Sequence, residues 1–132
     1  MLIKPFKFAL LAVLFSLLFS CAASSDFESL DASLRSYERA IRWGEFTAAK
    51  SFHKNEPELK DLERRRLKFY RVTNYAVIRN EVVDKFNSHA YVEIKYYKSD
   101  RPVIKSVTVK QHWKRDKGSK LWYLESPFPK FR

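Results

Sequence analysis

The spacing of apolar residues changes once along this chain, near Leu67, and that change sets its fold class. Upstream, Phe27, Leu30, Leu34, Tyr37 and Ile41 recur at steps of 3, 4, 3 and 4. This lays one apolar stripe along a helix. Arg35, Glu38, Arg39 and Arg42 fall largely off the stripe. Ser25 and Glu28 have the spacing of a capping box, with Ser25 as N-cap. Gly44 suits the left-handed position that closes such a helix. A second, short helix is expected over 45–52. A third is expected from near Pro57, a good first-turn residue, to about Arg66.

Downstream of Leu67 the residues are β-branched and aromatic. A strand is expected over 68–83 and a turn at 84–88. Residues 89–98 then alternate, with Ala90, Val92, Ile94 and Tyr96 on one face and His89, Tyr91, Glu93, Lys95 and Tyr97 on the other. Ser99, Asp100, Arg101 and Pro102 supply turn chemistry. A third strand follows over 103–115. The loop 116–119 offers Gly118 for a positive φ. A last strand occupies 120–125, and Pro127 and Pro129 mark an irregular tail. The order predicts an α+β fold, two to three N-terminal helices packed on one face of an antiparallel sheet of about four strands. Eleven Phe, seven Tyr and three Trp favour a sheet-rich core.

The first twenty residues belong to a different class of sequence. Lys4 and Lys7 precede Phe8–Phe19, an uncharged apolar run of 12 residues. A membrane-spanning helix needs about 20, so the run reads as the apolar region of an export signal. The only cysteine, Cys21, follows directly. Leu18-Phe19-Ser20-Cys21 resembles the lipobox of bacterial lipoproteins, with Phe19 larger than the residue usual there. The resemblance implies cleavage after residue 20, acylation of Cys21, a lipidated N-terminus and short linker over 21–25, and a single domain over 26–132. Membrane attachment through Cys21 follows. Ala22, where diderm lipoproteins retained at the inner membrane carry Asp, implies sorting to the outer membrane, facing the periplasm. Two other fates fit the same run: cleavage by ordinary signal peptidase nearby, or retention as an uncleaved anchor.

Without Lys4 and Lys7, 24 of the 26 basic residues remain against 15 acidic ones, a net +9. Such a surface attracts anions or simply stays soluble. Arg64, Arg65 and Arg66 form the densest basic run. Lys114, Arg115, Lys117 and Lys120 cluster near the last hairpin, and these seven residues are the candidate binding surface. Export argues against nucleic acid as the partner and for anionic envelope polymers or lipid headgroups. With one cysteine, neither an internal disulfide nor a cysteine-built zinc site is available. His53, His89 and His112 are scattered, which argues against a metal. Two glycines make no phosphate-cradling loop, so no cofactor is expected.

SYERAIRWGEFTAAKSF at 36–52, with Gly44-Glu45 in its turn, resembles the helix–turn–helix entry of the nuclear transport factor 2-like superfamily. Gln111–Asp116 and Leu121–Leu124 are similar to the last two strands of such domains. The resemblance implies a curved sheet wrapped on the first helix, a cone with a pocket, and in many members a homodimer. The superfamily holds enzymes and binding modules alike. Its isomerases place an Asp base with a Tyr inside the cone. Here Asp31, Asp61, Asp84, Asp100 and Asp116 fall in expected helices or turns, and Glu81 and Glu93 are expected to pair with cross-strand Lys or Arg. No catalytic residue is therefore assigned. Three readings stand: a non-enzymatic module for an envelope protein or small apolar ligand, a pocket enzyme (isomerase or hydrolase), and a binder of anionic polymers or headgroups.

Overall fold

A computed structural model of the chain describes residues 21–132, and the side chains of 21–28 are outside that description. The apolar run, the lipobox-like residues 18–20 and the Ser25–Glu28 capping pair therefore lie beyond the described parts. Helix α1 spans Cys21–Arg42, α2 Phe46–Lys50 and α3 Asp61–Leu67. Four strands follow: β1 Tyr70–Val82, β2 Asn87–Lys98, β3 Arg101–Arg115 and β4 Trp122–Leu124. They pair in chain order as one antiparallel sheet. The fold is α+β, with the helices on one face of the sheet.

Helix α1 presents its stripe as expected from Leu30 to Ile41, the Phe27 side chain lying outside the described residues. Leu30, Tyr37 and Ile41 are buried and Leu34 is partly so, each large side chain contributing roughly 1.5–3 kcal/mol. The helix begins four residues ahead of the expected Ser25 cap, through alanines that favour helix. It ends as the sequence indicates. Gly44 takes φ +72°, its N–H bonds Ile41 and the Glu45 N–H bonds Ala40, the paired pattern of a Schellman cap.

Two further helix boundaries differ from expectation. Helix α2 stops at Lys50 because residues 52–54 join the sheet. His53 forms a parallel bridge with Leu124, the Leu124 N–H bonds Phe52, and the Lys54 N–H bonds Leu124. Helix α3 starts at Asp61 rather than near Pro57. Lys60 is extended at the cap, and buried Leu59 pins the preceding segment. Acids in its first turn and arginines in its last complement the helix dipole.

On β2, Ala90, Val92, Ile94 and Tyr96 are buried as the alternation predicts. The left-handed residue of the 116–121 loop is Lys120, at φ 60°, and not Gly118. Asp116 explains this, since its carboxylate takes the Ser119 N–H and hydroxyl while its carbonyl receives the Lys120 N–H. The tail is irregular but belongs to the core. Phe128 and Phe131 are buried among Phe46, Tyr70 and Tyr96.

Candidate functional site

The seven basic residues singled out in the sequence meet different surroundings. On α3, Arg64 pairs with Asp61 and Arg65 reaches the Asp61 carbonyl at 3.4 Å. Arg66 turns the other way. It donates to the Phe131 carbonyl at 2.8 Å and lies 5.5 Å over the Tyr70 ring, so it fastens the tail. Near the last hairpin, Lys114 lies 3.8 Å from Glu125, Arg115 donates to the Lys120 carbonyl, and Lys117 sits over Phe86. Lys54, which the sequence reading passed over, meets the surroundings of both clusters. It lines a cleft with Arg64 and is 3.6 Å from Asp116 in the hairpin loop.

Inside, polar groups are bound to one another. His53 is buried. Its Nδ1 faces the Ser126 carbonyl at 2.7 Å and therefore carries the proton. Its Nε2 accepts from the Tyr37 hydroxyl at 3.0 Å. Burial holds the imidazole below its usual range, against the Ser126 carbonyl, and pushes the Tyr37 phenol well up. Gln111, also buried, donates to the Tyr75 hydroxyl at 2.8 Å and accepts from the Trp113 indole at 3.0 Å. Burial drives the Tyr75 phenol upward too, opposed by the Gln111 hydrogen bond. Glu56 pairs with Lys50 and accepts the Phe128 N–H at 3.0 Å. Burial would raise its carboxyl, but these bonds prevail and hold it low.

The strand acids Glu81 and Glu93 and the histidines His89 and His112 lie on the face of the sheet opposite the buried Ala90, Val92 and Trp113. Glu81 and Glu93 pair with their own-strand neighbours Arg79 and Lys95, not across strands. The residues opposite them are His89 for Glu81, and Ala76 and Thr108 for Glu93, none of them Lys or Arg. His89 and His112 are not scattered but cross-strand partners, with ring centroids 4.8 Å apart. Both nitrogens of His112 are engaged, by Asn87 at 3.1 Å and Glu125 at 3.1 Å. Among the described residues no group of three or more His, Cys, Asp or Glu gathers to hold a metal. Tyr91 lies between Arg79, 4.3 Å from its ring centre, and Lys110 at 5.6 Å. Hydrogen bonds from those two cations, Arg79 first, lower its phenol.

Two clefts flank the segment 51–54. One, of about 460 Å³, has Lys50, His53, Lys54, Glu56 and Arg64 on its walls. The other, of about 400 Å³, is lined by Phe52, Lys54, Asp116, Leu121, Trp122 and Tyr123. Lys54 lies 4.6 Å over the Tyr123 ring at the second cleft. Among the described residues, one buried side-chain polar atom has no partner, Nε1 of Trp122. Its residue belongs to that second wall. The second cleft joins residues 51 to 54 with residues 116 to 123, which no local pattern brings together. A third cleft, about 390 Å³, lies by the tail at Arg66, Phe128 and Lys130. Compared with known proteins, the chain matches no family model, no curated protein and no solved structure.

Proposed function

We propose that this chain is a lipid-anchored binding module of a bacterial envelope, exported by residues 1–20 and held by acyl chains on Cys21. Ala22 favours the outer membrane. Among the described residues, three helices ahead of a four-stranded antiparallel meander, with Gly44-Glu45 closing α1, support kinship with the nuclear transport factor 2-like cone domains. One observation carries the choice of binding over chemistry. The described buried polar side-chain atoms are bonded, and the exception is Nε1 of Trp122, on the wall of a surface cleft. His53, a shifted titratable group, has both nitrogens engaged and no lone pair to offer as a base. A ligand with an acceptor atom, seated in this cleft beside Tyr123 and Lys54, would complete the Trp122 indole.

Native mass spectrometry of the full chain extracted from membranes tests this reading. The expected mass is that of a chain cut before Cys21, acylated, and carrying a small molecule that is lost in Trp122→Phe and Lys54→Glu. Processing and membrane attachment unchanged in Cys21→Ser would refute the anchor. A ligand retained by both cleft variants would refute the site.

A further inference from the structure

Strand β3 is far longer than the strand beside it. It runs from Arg101 to Arg115, while β4 pairs with Trp113, Lys114 and Arg115 alone. On its other side β2 pairs with it from Lys105 to Lys114 and again at Arg101. Among the described residues, no strand pairs with the β4 side of β3 ahead of Trp113.

Hydrogen bonds at the far end of the strand show which residues face that open side. The His112 N–H goes to the Ser126 hydroxyl at 3.2 Å, and its carbonyl takes the Glu125 N–H at 2.9 Å, both on the β4 side. The Arg115 N–H goes to Phe86 at 2.8 Å, on the β2 side. The β2–β3 register is unbroken from Asn87↔Lys114 to Tyr96↔Lys105. Period two therefore turns the N–H and C=O of Ser106, Thr108 and Lys110 to the open edge. The other edge of the sheet, β1, is interrupted by irregularities after Val72 and after Val77, devices that resist strand addition. From Lys105 to Lys114 the β3 edge has neither, its register shift lying ahead of Lys105, opposite Tyr96–Lys98. Half-buried Val107 and Val109 on this stretch are strand formers.

Charge selects the occupant. β3 carries Arg101, Lys105, Lys110, Lys114 and Arg115 and no acidic residue. Two copies meeting edge to edge would bring base against base. We infer that the open edge of β3 is a docking site for an extended acidic segment of a partner protein, added as a fifth strand beside Ser106–Lys110. Main-chain bonds supply the affinity. Alternate apolar residues of the segment pack along Val107 and Val109, and its carboxylates, on the other face, meet Lys110, which lies over Tyr91. This rests on the binding-module reading and names a partner class for it.

The test is residue-resolved hydrogen exchange on the full chain in detergent micelles. The probes are a nine-residue peptide alternating Glu with Val and its Lys–Val counterpart. Addition of the Glu–Val peptide slows exchange at Ser106, Thr108 and Lys110, and the Lys–Val peptide does not. Thr108→Pro removes one outward N–H without touching the β2 ladder and abolishes the effect. Should that variant fold poorly, Lys110→Glu serves. Lys110 is exposed, and its reversal weakens the Glu–Val peptide and makes Lys–Val the better ligand. Equal binding of both peptides, no binding, or protection at β1 overturns the proposal. Protection that appears without peptide as protein concentration rises also overturns it, by making a second copy the occupant. None of these outcomes touches the mass-spectrometric test of the anchor and the Trp122 cleft.

Discussion

The Tyr37–His53 bond offers a sharp test of how the interior is held. Tyr37 is 1% exposed and donates to Nε2 of His53 at 3.0 Å. Its ring packs edge-on against Phe52, His53 and Trp113, with centroids 5.6, 5.6 and 5.7 Å away. Tyr37→Phe keeps those ring contacts and removes one oxygen. The His53 ring cannot recover by swapping tautomers, because Nδ1–H is tied to the Ser126 carbonyl at 2.7 Å. The variant leaves a buried acceptor without a donor, at a cost of about 1–3 kcal/mol. For a domain of this size that is a fall of about 4–12 °C in Tm. Urea and thermal unfolding read it through tryptophan fluorescence, since Trp113 and Trp122 are buried. His53→Phe breaks the same bond and frees the Ser126 carbonyl as well. The double variant should therefore lose less than the sum of the two. A Tyr37→Phe protein within about 0.5 kcal/mol of the parent, or strictly additive losses, would show that the hydroxyl does not carry this stability.

Two further predictions follow. His53 is depressed by burial below its ordinary 6.5, so between its unfolded and folded pKa the unfolded chain binds a proton that the folded one refuses. Stability therefore falls as pH drops from about 7 toward about 5, by at most about 1.4 kcal/mol per pH unit from this group. His53→Phe flattens that part of the profile, and a parent profile already flat there would contradict the assignment. Arg66→Ala loses the Phe131 bond and the Tyr70 stacking and costs about 1–2 kcal/mol in the same unfolding assay. Its neighbour Arg64, in an exposed pair with Asp61, costs about 0.5 kcal/mol or less, and equal losses would refute the distinction.

The elements whose cause is local were legible in the sequence. The 3–4 spacing of α1, the Gly44 cap and the alternation of β2 each need only neighbours a few residues apart. What escaped depends on distant partners. Pro57 is a sound helix start in isolation, but buried Leu59 holds that stretch extended. The sequence of the tail signals irregular backbone through its prolines, yet Phe128 and Phe131 find aromatic partners more than thirty residues away. Glu81 and Glu93 chose same-strand cations because register set uncharged residues or His89 opposite them. The cleft between Lys54 and Trp122 was invisible for the same reason, since its walls meet only after β4 docks on residues 52–54. Aromatic residues in the tail, three apart, were the one available signal that it returns to the core.

The bonds that close the helix-covered face have a consequence for assembly. His53 to Ser126, Glu56 to Phe128 and Arg66 to Phe131 bridge separations of 73, 72 and 65 residues. None can form until the far residues have been synthesised, and each must overcome the entropy of closing a long loop. The short α2 and α3 are too brief to persist unaided, so they acquire lasting structure only when residues 126–131 arrive. Folding should be slow for its size and limited by that final docking. Until then Phe46, Tyr70 and Tyr96 lack their aromatic partners, and the nascent chain is a substrate for chaperones.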